Sequence, residues 1–108
     1  MRLTLLPLLL CTLAWGTATQ ASNRWDLLTW CTATNRVDLA RCDGLLTAAI
    51  DLRTSDDFPG PKSCFLPDTR LPQVRKVVIS WLKENKLAPE KSGLALVNRA
   101  IQEQFPCP

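Results

Sequence analysis

Apolar residues are distributed along the chain in two ways: one nearly unbroken run at the start, then four stretches in which they return every three or four positions. The clearest stretch is "LPQVRKVVISWLKEN", where Val74, Val77, Val78, Trp81 and Leu82 follow the i, i+3, i+4, i+7, i+8 spacing of a single helix face. Its valines favour strand, but a helical period held from position 74 to 82 outweighs propensity. A helix is predicted from about 70 to 85, with Pro72 tolerated in its first turn. "NKLAPEKSG" then breaks the pattern, Pro89 is placed to start a last helix, and Leu94, Val97, Ile101 and Phe105 line its face before "PCP". Upstream, Asn35 caps "RVDLARCDGLLTAAIDLR", with Asp38 in the capping-box position and a stripe of Leu39, Cys42, Leu46, Ala49 and Ile50. "SNRWDLLTWCTA" opens on a Ser/Asn cap signal and puts Leu27, Trp30 and Cys31 on one face, leaving Trp25 and Leu28 off it. "TSDDFPGPKS", residues 54–63, has the composition of a loop. The pattern predicts an all-α fold, a small four-helix domain.

The unbroken run changes the picture of where this domain works. "MRLTLLPLLLCTLAWGTATQA" has one basic residue, a Leu-rich core too short to cross a membrane, and then small residues, the layout of a secretory signal peptide. Residues 1–21 are expected to be cleaved, with Ala21 as the last residue removed (Ala18 is the alternative), leaving residues 22–108 as an exported domain. A lipoprotein cut before Cys11 is disfavoured because Leu10 stands where a small residue is needed. The remaining 87 residues carry a net charge of about +2, spread without clusters, which gives no support for nucleic-acid binding, and no membrane association is expected after cleavage.

A core of this size is marginal without covalent staples. The mature chain has four cysteines, Cys31, Cys42, Cys64 and Cys107, and an even number in a short exported domain reads as disulfides. A zinc site is disfavoured, since no C-x-x-C pair and no histidine is present. Of the three connectivities, helical topology favours one. Two helices joined by a short turn pack antiparallel, so Cys64, ahead of the third helix, meets Cys107, behind the fourth. Cys31 and Cys42 then pair by elimination.

Candidate chemistry is sparse. Without histidine the commonest general base and most nucleophile–base triads are lost. Asp51, Asp56 and Asp57 form the only acidic cluster, and a solvated turn explains them better than a metal site. Ser80 and Ser92 have no base nearby in sequence, and Arg75 and Lys76 lie off the apolar stripe, facing water. The reading is binding rather than catalysis, with no cofactor and no metal. Trp25, Leu28 and Ile79, lying off the main stripes, suggest that a second apolar side is covered by another copy, a homodimer.

"QVRKVVISWLKEN" and "LALVNRAIQEQFPC" carry a resemblance. Gln73, Arg75, Val77, Val78, Trp81 and Leu82, together with Leu96, Val97, Ala100, Ile101, Phe105, Pro106 and Cys107, resemble the two helical blocks of the periplasmic immunity proteins of type VI secretion amidase effectors, the Tai-type or Rap-type resistance family. Cys64 falls on that family's cysteine before the first block, and the leader, Cys31 and Cys42 fit its layout. The chain departs from it at Leu45 and Ala48, where the family commonly has Tyr and Gly, and at "CFLP", where Pro67 comes one residue late. The resemblance implies a helical, often dimeric periplasmic protein that occludes the active site of a peptidoglycan amidase, protecting kin cells. The projection it implies is the connection between the last two helices, Asn85, Lys86, Leu87, Ala88, Pro89, Glu90 and Lys91. Two alternatives stand beside it: a periplasmic binding module of the same fold with a non-amidase partner, and a small stress-responsive chaperone. The chaperone is disfavoured by ten acidic residues and no histidine to sense pH.

Overall fold

The computed structural model describes residues 22–108; the leader read in residues 1–21 lies outside the described residues. Four helices follow one another: α1 (Arg24–Cys31), α2 (Arg36–Thr54), α3 (Leu71–Glu84) and α4 (Gly93–Gln104). The only β pairing among the described residues is an isolated bridge between Ser63 and Pro106. The fold is all-α, as the periodicity predicts.

Helices α1, α2 and α4 begin where a side chain satisfies an orphan N–H group. Asn23 Oδ1 accepts from Asp26 N at 2.9 Å, and Asp26 Oδ2 accepts from Asn23 N at 3.3 Å, a complete capping box. Asn35 Oδ1 accepts from Asp38 N at 2.8 Å, but the Asp38 carboxylate takes the Asn35 side-chain amide instead of closing the box. At α3 the cap comes from inside the helix: Gln73 Oε1 accepts from Arg70 N at 2.8 Å. The start of α4 differs from the expectation at Pro89. The helix begins at Gly93, because Ser92 Oγ accepts from Ala95 N at 3.1 Å, whereas Pro89 has no capping oxygen and the intervening residues stay non-helical.

The core is drawn from all four helices: Leu27 and Cys31; Cys42, Leu46 and Ala49; Val74, Val78, Trp81 and Leu82; Leu96, Val97, Ala100 and Ile101. On α4 the buried stripe is rotated from the expected one. Leu96 and Ala100 join Val97 and Ile101 in the centre, while Leu94 and Phe105 pack half-buried at its edge. Ala100, small beside Leu96 on this face, leaves room for α2, and α2 with α4 makes the most extensive helix contact among the described residues. Replacing one of the fully buried leucines by alanine is of the class that costs about 2–5 kcal/mol. Leu28 and Ile79, expected to form a second apolar side, pack against this core; Trp25 does not and is 75% exposed.

Both disulfides join the expected partners. Cys31–Cys42 links the end of α1 to α2 with Cα atoms 5.0 Å apart, and Cys64–Cys107 closes the α3–α4 hairpin at 4.9 Å. Around the second, Cys64 N donates to Phe105 O at 2.9 Å, so the segment before α3 and the segment after α4 are tied by backbone as well as sulfur.

Two arginines are held inside the fold, and for Arg75 this differs from the expectation. Arg75 does not simply face water. Its Nη2 meets Asp43 Oδ1 at 2.8 Å and its Nε the same oxygen at 3.2 Å, pinning α3 to α2 from a partly buried position. Arg53, at 8% exposure, sits under the 54–63 loop, donating from Nη1 to Pro61 O at 3.0 Å. Gly60 takes φ +104° there, and a Cβ would meet the Arg53 guanidinium at 3.5 Å. Lys76, Asp51, Asp56 and Asp57 are exposed, and among the described residues no group of three or more His, Cys, Asp or Glu side chains is arranged to hold a metal.

A braced loop between the last two helices

The connection between α3 and α4 is where the structure makes most effort to hold a non-helical segment still. Helix C-termini leave carbonyls without partners. Here the guanidinium of Arg24, from α1, donates to Leu82 O at 3.0 Å and to Asn85 O at 2.9 Å, capping α3 from another helix. Asn85 N and Asn85 Nδ2 both donate to Trp81 O at 2.8 Å, and Ala88 N closes a turn onto Asn85 O at 3.2 Å. At the far foot, Gly93 N donates to Ser22 O at 2.8 Å. The first residues of the described chain thus grip both feet of the loop.

A charged network braces the descending limb. Arg99 Nη1 meets both Glu90 oxygens, at 2.7 and 3.1 Å, and its Nε meets Glu103 Oε2 at 2.8 Å. Trp81 Nε1 donates to the other Glu103 oxygen at 3.0 Å, and the Arg99 guanidinium lies 5.7 Å from the Trp81 ring centroid. The hydrogen bond from Trp81, and then that from Arg99, hold the Glu103 carboxyl below the ordinary glutamate range. Glu90 and then Glu103 raise Arg99 further above its already high value.

The seven residues expected to form the projection therefore divide. Asn85, Ala88 and Glu90 are partly buried and serve the scaffold. Lys86, Leu87, Pro89 and Lys91 face out, with Leu87 at the tip 95% exposed. An open groove of about 640 Å³ runs beside the loop, lined among others by Lys83, Glu84, Leu87, Pro89 and Arg99. A single exposed leucine is ordinary. What distinguishes Leu87 is that its backbone is anchored on both sides, so an apolar side chain is displayed from a pre-ordered support, which lowers the entropy lost on binding.

Comparison with known proteins gives the class. The family model for Rap1a immunity proteins matches residues 23–107. The chain belongs to the Rap1a immunity protein family. No curated protein and no solved structure matches it. The match covers α1 to α4 and both disulfides, so the Rap1a relationship embraces the braced loop and the helix that braces it. Membership gives this protein an immunity role against a toxin effector. No helix among the described residues is long and apolar enough to cross a membrane.

Sequence reasoning identified the loop of this Rap1a-family member but not what holds it. Arg24 carried no local signal, its partners lying 58 and 61 residues away, and Glu90, 9 residues from Arg99, falls outside helical spacing. Arg99 and Glu103, spaced i, i+4, are the one pair of the brace that spacing alone could have found.

Proposed function

We propose that this protein neutralises a peptidoglycan-cleaving amidase effector of type VI secretion in the periplasm, seating residues 85–91 in the toxin's active-site cleft so that substrate is excluded. The observation that carries the proposal is Leu87, almost fully exposed at the tip of a loop whose two feet are clamped by Arg24 and Ser22. The amidase target comes from the resemblance of the two helical blocks to amidase immunity proteins, and the periplasm from the leader-like residues 1–21. On this reading the protein works by binding, not by catalysis. Its rigidity is the means: an occluding loop that is already ordered loses little entropy when it docks.

The same reading pairs two copies of the chain. Since Leu28 and Ile79 belong to the core, support for pairing moves to the other end of α3. There an open recess of about 390 Å³ is lined by Ile50, Phe65, Leu71 and Val74, and Leu66 beside it is 74% exposed.

The test uses the oxidised domain of residues 22–108 against a panel of purified peptidoglycan amidases, measuring affinity and cell-wall hydrolysis together. Tight binding that abolishes hydrolysis is expected, and Leu87→Asp with Lys86→Glu should weaken it at least tenfold without lowering thermal stability. Binding unchanged by these substitutions would remove the loop from the mechanism. Failure of every amidase, with the domain folded, would leave an immunity protein directed at another class of toxin.

A further inference from the structure

We propose that the toxin-contacting surface is composite: the N-terminal edge of α1 docks with the loop, Trp25 serving as a second anchor beside Leu87, on a protein partner whose recess is apolar and whose rim is acidic. This rests on the loop reading above. Ser22 O and the Arg24 guanidinium bind the two feet of the loop, at 2.8 Å and at 2.9–3.0 Å, so the start of α1 and the loop form one fixed surface.

Trp25 follows directly on Arg24 and leaves three quarters of its surface in water. The orientation of α1 shows which way it is turned. Trp30 takes the Arg41 guanidinium of α2 at 5.6 Å from its ring centroid, so the Trp30 flank faces α2. Five residues earlier lies about 140° round a helix. Trp25 therefore occupies the flank turned away from α2, next to the arginine that reaches α3. Tryptophan is among the residues that most often dominate the binding energy of a protein interface, and the core leaves this one unused.

Charge selects the partner. Lys83, Lys86 and Lys91 are exposed at this end, and none makes an ion pair among the described residues. Arg99 is shared by Glu90 and Glu103, so that cluster keeps one net negative charge, and Glu84 in the groove adds a second. The three lysines outnumber these two negative charges and project from the exposed surface, which favours a cleft whose rim is negative.

The experiment measures association and dissociation rates between the oxidised domain and the purified peptidoglycan amidase that the unsubstituted domain retains. Trp25→Ala is expected to raise Kd by about 30-fold, mainly through faster dissociation, at unchanged thermal stability, and Trp25→Phe to recover most of it. The triple variant Lys83→Glu, Lys86→Glu, Lys91→Glu is expected to slow association about tenfold or more and to flatten its salt dependence. Full affinity in Trp25→Ala alongside weakened Leu87→Asp overturns the second anchor and leaves the loop reading intact. If both variants bind as the unsubstituted protein does, or no amidase is retained at all, both readings fall. Should Trp25→Ala keep its affinity but convert a dimer to a monomer in sedimentation, the indole is a contact between copies and the proposal is wrong.

Discussion

Arg24 caps two carbonyls that α3 cannot satisfy for itself, and it does so because a guanidinium presents a fork of donors. A lysine ammonium can reach two carbonyls, as Lys62 does with Ser55 O and Phe58 O, but from a shorter side chain and without the fixed planar fork that meets Leu82 O and Asn85 O. Arg24→Ala should lower stability by about 1.5–3 kcal/mol, the range for hydrogen bonds to charged groups, and Arg24→Lys should recover only part of it. Urea unfolding gives the energies, and amide exchange at residues 86–88 should quicken in both variants. Gly93 is constrained from the same side. An added Cβ would meet Ser22 Oγ at 2.6 Å and Leu45 Cδ1 at 3.3 Å. Glycine to alanine ordinarily stabilises a helix by up to about 1 kcal/mol, but Gly93→Ala should destabilise here, and Ser22→Gly in the same chain should reverse part of the loss. Glu103 sets a pH limit. Its folded-state pKa is depressed, so its contribution is complete above the unfolded carboxylate value of about 4.3 and is lost as pH falls through the lower folded value. Melting temperature should therefore hold from pH 7 to about 5 and drop below about 4, while Glu103→Gln should start lower and drop less.

At the scale of elements, the helix most remote from the loop in sequence, with Ser22 just ahead of it, holds both of its feet. α1 is eight residues long, too short to persist by itself, and α2 holds it through Cys31–Cys42. Closing that short loop is worth about 3 kcal/mol by chain entropy, against about 4 kcal/mol for Cys64–Cys107. The two bonds should nevertheless fail differently. Cys31→Ser with Cys42→Ser frees α1 and with it the clamp on both loop feet, so exchange should quicken at residues 24–31 and 86–91 while α2 and α4 stay protected. Cys64→Ser with Cys107→Ser opens the hairpin itself and should lower the global unfolding midpoint. The sequence carried much of this architecture, for reasons that differ by element. α3 was legible because five apolar residues repeat one helical face without interruption. The cysteine pairing followed from antiparallel packing of two long helices. On α4 the spacing finds Val97 and Ile101 in the core and Leu94 and Phe105 at its edge, but passes over Leu96 and Ala100, which the extensive contact with α2 buries. The start of α4 was misread because proline is a good first-turn residue, yet Ser92 alone offers a capping oxygen. Arg75 looked solvated because Asp43 is 32 residues away.

Across the whole molecule, the two surfaces assigned to partners lie at opposite ends of α3. The braced loop follows Glu84, at its C-terminus, while the recess of Phe65, Leu71 and Val74, with Leu66 exposed beside it, surrounds its N-terminus. Fourteen helical residues put them about 20 Å apart. Their supports differ: the loop is fixed by α1 and by Arg99, and the recess by the Cys64–Cys107 junction, where the Phe65 and Phe105 rings lie 4.6 Å apart. Self-association and toxin capture should then be separable. Leu66→Asp places a charge where an apolar contact between copies is proposed, and its side chain is already in water, so the monomer itself loses little. Sedimentation should show this variant shifted to the monomer mass, with affinity for the amidase within about twofold of the unsubstituted protein, since sites this distant act additively. A variant that becomes monomeric and also loses the toxin would mean that the second copy completes the binding surface. The loop of one chain would then be only half of the inhibitor.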